Sequence, residues 1–132
     1  MTPITQTITT VPGGNCFSTC IASILEMDLA DVPNFCLDPD WYRETTKWLN
    51  ARGYTLFEIK ITADTEWFHA AHNGPFVIVS GQSPRGAHKH SIVGQLGFGE
   101  IRYVHDPHPA GGWIVGDPEY IGLIIPLTGV SA

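Results

Sequence analysis

A cysteine, a histidine and an aspartate occur in this chain in settings that suit nucleophilic catalysis on a carbonyl. Cys16 follows Val11-Pro12-Gly13-Gly14-Asn15. The proline and glycines cannot continue a regular element, Asn15 is a favoured N-cap, and Phe17, Ile21, Ile24 and Leu25 recur at helical spacing. The sequence therefore predicts a helix with Cys16 in its first turn. There the unpaired backbone N–H groups and the positive end of the helix dipole favour thiolate over thiol, and the same groups could hold an oxyanion. A cysteine can equally be a small apolar core residue, so a partner base is needed to read it as a nucleophile.

The partner comes from the second half of the chain. A strand over 88–96, a turn at Gly97-Phe98-Gly99 and a strand over 101–106 read as a hairpin. His90 opens its first arm and Asp106 closes its second. In an antiparallel pair those ends are neighbours, so Asp106 can orient His90 if the pleat puts both on one face. His88, His105 and His108 crowd the same ends, which opens a second arrangement, a metal cluster of N and O ligands. Alternation puts His88 and His90 on one strand face, but no His-Glu-x-x-His spacing is present, and a metal leaves the helix-start cysteine unexplained. His69 and His72 read as ordinary helix residues.

The elements that must position these groups follow in order. After the first helix, a capped turn at Asp28-Leu29-Ala30-Asp31 stops before Pro33, and Asn34-Phe35-Cys36-Leu37 reads as a loop. Cys20, one turn after Cys16, reads as core, and neither Cys20 nor Cys36 is expected to be activated. Asp38-Pro39 opens a helix through Trp41, Tyr42, Thr45, Trp48 and Leu49 that ends at Gly53, its aromatic stripe being a packing face. A strand over 54–61 follows with Glu58 and Lys60 on its wet face, then a short helix over 64–72. The continuous apolar run 76–80 is a strand in the middle of a sheet. Residues 81–87 form an exposed loop, residues 107–118 a Gly/Pro-rich loop with Trp113 towards solvent, and residues 120–126 an edge strand. Helices first and an antiparallel sheet after them is an α+β architecture.

A chain of 132 residues makes one domain, spanning 1–132, with a single core. Hydrophobic content of 43% with 15% charged residues is ordinary for a globular protein. The net charge of −6, with basic residues scattered, disfavours a nucleic-acid partner. No apolar run approaches a membrane span and no signal-like segment opens the chain, so no membrane association and a cytoplasmic location are expected. Three cysteines without such a segment argue against a disulfide framework.

Gly14-Asn15-Cys16 opening a helix, His90-Ser91-Ile92-Val93 opening a strand and Val104-His105-Asp106-Pro107 closing its neighbour resemble the papain-like cysteine peptidases. The likeness is nearest to minimal members such as the bacteriocin-leader peptidases, and the layout is also similar to small uncharacterised bacteriophage proteins. The resemblance implies a papain-like fold with Cys16 as nucleophile, His90 as base and Asp106 as orienter. It further implies a glutamine upstream of the cysteine as oxyanion donor. Gln6 is the glutamine available, provided that residues 7–14 double back. The expected function is a small hydrolase acting on an amide or isopeptide bond of a peptide or protein, a host protein among the candidates, with no cofactor. If the chain is phage-encoded, the compartment is the host cytoplasm. Two other classes stand beside it: a non-catalytic, phage-encoded binding or inhibitor module on the same fold, and a metal-dependent hydrolase using the histidine cluster. The sequence leaves the substrate and the oligomeric state open.

Overall fold

The computed structural model describes residues 1–65, 73–97 and 99–128. Its regular elements are helix α1 (Cys16–Leu25), 3-10 turns at Leu29–Asp31 and Phe35–Leu37, helix α2 (Trp41–Asn50), and strands β1 (Tyr54–Lys60), β2 (Phe76–Gln82), β3 (Lys89–Gly97), β4 (Glu100–His105) and β5 (Val115–Pro126). Most of the helix expected over 64–72, with His69 and His72, lies outside the described residues, as does Phe98 of the hairpin turn.

Helix α1 begins at Cys16 as the sequence predicts, but Asn15 acts differently from a side-chain cap. Its Oδ1 accepts from the backbone N–H groups of Thr7 at 3.2 Å and Ile8 at 3.0 Å, and its Nδ2 donates to Thr7 Oγ1 at 3.0 Å. Asn15 thus fastens the N-terminal segment to the helix start. Every residue from Phe17 to Ser23 is buried, so the polar ones must bond internally. Thr19 Oγ1 donates to the Asn15 carbonyl at 2.7 Å and Ser23 Oγ to that of Thr19 at 2.9 Å. Helix α2 starts later than its Asp38-Pro39 signal, because Asp38 Oδ1 first accepts from Asp40 N at 2.8 Å and closes a turn. Asn34 likewise gives its loop regular form, its Oδ1 accepting from Cys36 N at the start of the second 3-10 turn.

The five strands form one antiparallel sheet in the order β1-β5-β2-β3-β4. Strand β2 is internal, as its apolar run implies. Strand β5 is not the expected edge: it runs between β1 and β2, starts earlier than its apolar end suggests, and leaves β1 and β4 as the edges. Two features of β5 disguised this. Pro118 breaks the ladder with β2, whose register shifts between Ser80 and Gln82. Gly122 looks like a strand weakener, yet a Cβ there would meet Glu58 Oε1 at 3.0 Å and Leu56 Cδ1 at 3.3 Å, so glycine lets those side chains lie close over the strand.

Both faces of the sheet are apolar. Phe17, Cys20, Ile21, Leu49, Leu56, Ile78 and Val93 make the core between helices and sheet, and Val77, Val79, Ile92, Leu96, Ile114 and Ile121 make a second cluster behind it. Consecutive residues of β2 feed alternate clusters, which is why the strand reads as unbroken rather than alternating. In β1 the expected faces are corrected. Glu58 shares the helix-covered side with buried Leu56, whereas Phe57 and Ile59 are exposed. The aromatic stripe of α2 is divided too. Trp48 packs edge-on against Phe35 with Arg52 over its ring, while Trp41 and Tyr42 are partly exposed, with Trp41 edge-on to Phe17.

Candidate active site

The N-terminus of α1 meets the start of β3, and Cys16 meets His90 there. Burial by itself raises the Cys16 pKa, but the His90 ring outweighs it through hydrogen bonding and charge, helped by the backbone N–H groups of Ser91 and Phe17. The thiol is held below its ordinary value. His90 answers in the opposite sense: burial lowers its pKa, and the bonds and charges of Asp106 and Cys16 overcome that and raise it to about 9. The two shifts act in the sense that favours a thiolate facing an imidazolium.

Asp106 fixes the ring. Its Oδ1 accepts from His90 Nε2 at 2.7 Å, leaving Nδ1 as the nitrogen able to exchange a proton with Cys16. Oδ1 also accepts from His108 N at 2.9 Å, and Oδ2 from Trp113 N at 2.8 Å. Burial raises the Asp106 pKa, but these donors and the charge on His90 more than offset it, so the carboxylate stays ionised.

A one-residue irregularity in the hairpin puts Asp106 and His90 on the same side. From Gly97↔Glu100 to Gly94↔Tyr103 the register is regular, and continuing it would set Asp106 opposite Ser91, on the face away from His90. The register shifts between Val93 and Gly94, so Val93 pairs with His105. Continuing the shifted register sets Asp106 opposite Ile92, which shares its face with His90.

Gln6 is brought to the site by the doubling back that the sequence required. Asn15 N donates to Ile8 O at 3.1 Å, and Gln6 N donates to Pro107 O at 2.8 Å, next to Asp106. The Gln6 side chain is buried and lines a cavity of about 430 Å³ with Cys16, Gly14, Arg85, His88 and His108. Its Nε2 donates one hydrogen to Ile8 O at 2.8 Å, and its Oε1 has no partner among the described residues. Gly14 keeps this corner open, since a Cβ there would approach Thr10 O to 3.1 Å.

The other described histidines make separate contacts, although His88 and His108 line the cavity beside Cys16. His105 Nε2 meets the Ile4 carbonyl at 2.6 Å and pins the N-terminal segment, and His108 Nδ1 accepts from Ala110 N at 3.0 Å. Among the described residues no three His, Cys, Asp or Glu side chains are grouped to hold a metal ion.

Several contributors had no legible signal in the sequence. The N–H groups of Ser91, Phe17, His108 and Trp113 belong to the backbone and are invisible to residue type. Cys20 is buried and its pKa is pushed well up by burial, as expected of a core thiol. Cys36, by contrast, lines the cleft beside Cys16. It is exposed as a residue, yet the packing around its sulfur and then the neighbouring Cys16 push its pKa up to about 11. No helix among the described residues is long and apolar enough to cross a membrane. Compared with family models, with curated proteins and with solved structures, the chain shows no match.

Proposed function

We propose that the chain is a small cysteine hydrolase of papain-like fold, cleaving or exchanging an amide or isopeptide bond of a peptide or protein. The observation that carries this reading is the line Cys16–His90–Asp106, a depressed thiol, a raised imidazole and a buried carboxylate at the mouth of a cleft. The order of elements, helices before an antiparallel sheet, supports the fold assignment. No cofactor enters the chemistry.

The Cys16 thiolate attacks the carbonyl carbon, and the electron pair of the C=O bond moves to oxygen. The backbone N–H groups at the start of α1 and the Gln6 amide are the donors for that oxyanion. Collapse expels the amine, which takes the proton from His90 Nδ1, and leaves a thioester on Cys16. Water then gives its proton to His90 as it attacks the thioester. The adduct collapses, the sulfur leaves as thiolate beside the restored imidazolium, and the carboxylic acid departs and loses its proton to solvent. An amine in place of water gives amide exchange by the same steps.

The test is to expose a proteome-derived peptide library to wild-type protein and to Cys16→Ala and read the products by mass spectrometry. New termini, Gln-to-Glu conversion or new isopeptide links that depend on Cys16 support the hydrolase. No Cys16-dependent product, together with slow alkylation of Cys16 that ignores His90, overturns it in favour of a binding module.

A further inference from the structure

A second cavity, of about 480 Å³, opens on the other side of Cys16 and runs between α2 and the sheet. Its floor is the row Ser80, Ser91 and Tyr120, and its roof is Trp41 and Tyr42. At its far side stands Glu58. The carboxyl lies over Gly122, whose missing side chain gives it room, and among the described residues no hydrogen bond or ion pair engages it. Lys89 lines the same cavity, but its ammonium is held by Glu119 at 2.8 Å. Burial pushes the Glu58 pKa up to about 7, the mark of a carboxyl short of a counter-charge. Trp41, Tyr42 and Tyr120 each remain more than a third exposed, so their rings are open to a guest.

An aromatic-walled pocket ending in a carboxyl group with no partner among the described residues suits a long side chain with an apolar stem and a positive tip. The stem lies on the rings, and the cation supplies the charge that Glu58 lacks. Across Cys16 the first cavity carries Arg85, whose guanidinium would repel such a guest. We propose that the cavity holding Glu58 receives a cationic side chain of the substrate, lysine or arginine, and that Glu58 selects it. This rests on the hydrolase reading and names the substrate class of that site.

The experiment compares dipeptidyl chloromethyl ketones bearing lysine, norleucine or glutamate, either next to the reactive carbon or one residue away. Rates of Cys16 alkylation are followed by intact-protein mass spectrometry. In one position the lysine probe should react on the order of tenfold faster than norleucine, and the glutamate probe slowest. Glu58→Gln, nearly isosteric, should bring lysine and norleucine to parity while leaving alkylation by iodoacetamide, which enters no pocket, unchanged. Equal lysine and norleucine rates in the wild type, or a lysine preference that survives Glu58→Gln, overturn the assignment when iodoacetamide still selects Cys16. Should that selectivity itself be missing, the hydrolase reading fails separately. The pocket is then judged by NMR titration with N-acetyl-lysinamide and N-acetyl-norleucinamide, and equal affinities overturn it.

Discussion

His90 Nε2 and Asp106 Oδ1 lie 2.7 Å apart, and the two side chains keep only 4% and 6% of their surface exposed. The contact decides which nitrogen of the ring is available. With Nε2–H donated to a carboxylate, the lone pair of a neutral ring is on Nδ1, the position from which a proton can be exchanged with sulfur.

Asp106→Asn should reverse that choice. An amide can donate to Nε2 and so favour the tautomer with hydrogen on Nδ1, which cannot accept the thiol proton. We expect turnover to fall by about 10²–10⁴, with the far-UV spectrum retained. Unchanged activity would show that Asp106 only shapes the 106–113 loop.

Thiol labelling separates access from ionisation. Cys36 is exposed and Cys16 only partly so, so access alone predicts that Cys36 is alkylated first. Ionisation predicts the reverse, because Cys16 is depressed and Cys36 is pushed up to about 11. At about pH 6, well below the ~8.5 of a free thiol, iodoacetamide should label Cys16 first. His90→Ala should remove the selectivity, and His88→Ala should leave it.

The pH–rate profile should be bell-shaped with a displaced plateau. Its acid limb follows formation of the Cys16 thiolate, below the ordinary thiol value, and its alkaline limb follows loss of the His90 proton near 9. For stability the Asp106 sign is opposite to that of His90. A carboxyl with a lowered pKa contributes fully above its unfolded value of 3.8, and the contribution is lost as pH falls through the lower folded value. The raised imidazole contributes fully below 6.5 and loses its contribution as pH rises through about 9. An alkaline limb that His90→Gln leaves in place would assign it to another group.

Gln6→Ala should separate two kinds of chemistry at Cys16. Acyl transfer creates an oxyanion and alkylation by iodoacetamide does not. Turnover should drop by about 10²–10³ while the alkylation rate stays close to wild type. Equal losses in both would make Gln6 a packing residue of the N-terminal segment.

Gly94→Ala should destabilise the hairpin beside its register shift. The new Cβ would approach Val79 Cγ2 to 2.7 Å and Ile101 Cγ2 to 3.0 Å, an overpacking worth about 1–3 kcal/mol. The midpoint of denaturant unfolding should fall accordingly, and an unchanged midpoint would mean that the strand shifts freely.

Local patterns were enough to place Cys16 at a helix start, to set β2 inside the sheet and to pair His90 with Asp106 across a hairpin, because each depends on neighbours in the chain. The apolar period of α1, the unbroken run of β2 and the Gly-rich turn act over a few residues and leave a direct trace. The face on which Asp106 emerges does not. It depends on a single shift between Val93 and Gly94, where a glycine inside the strand hints at an irregularity but does not fix which face follows it. The place of β5 was hidden for a related reason: Pro118 and Gly122 look like breakers until the neighbouring strands show that one lies at an irregularity and the other beneath Glu58. Glu58 itself, read as a solvent residue from alternation, faces the cleft because strand alternation defines two sides but not which one a helix covers. That choice belongs to the packing of α1 and α2 on the sheet, a contact between distant parts of the chain that only the tertiary structure decides.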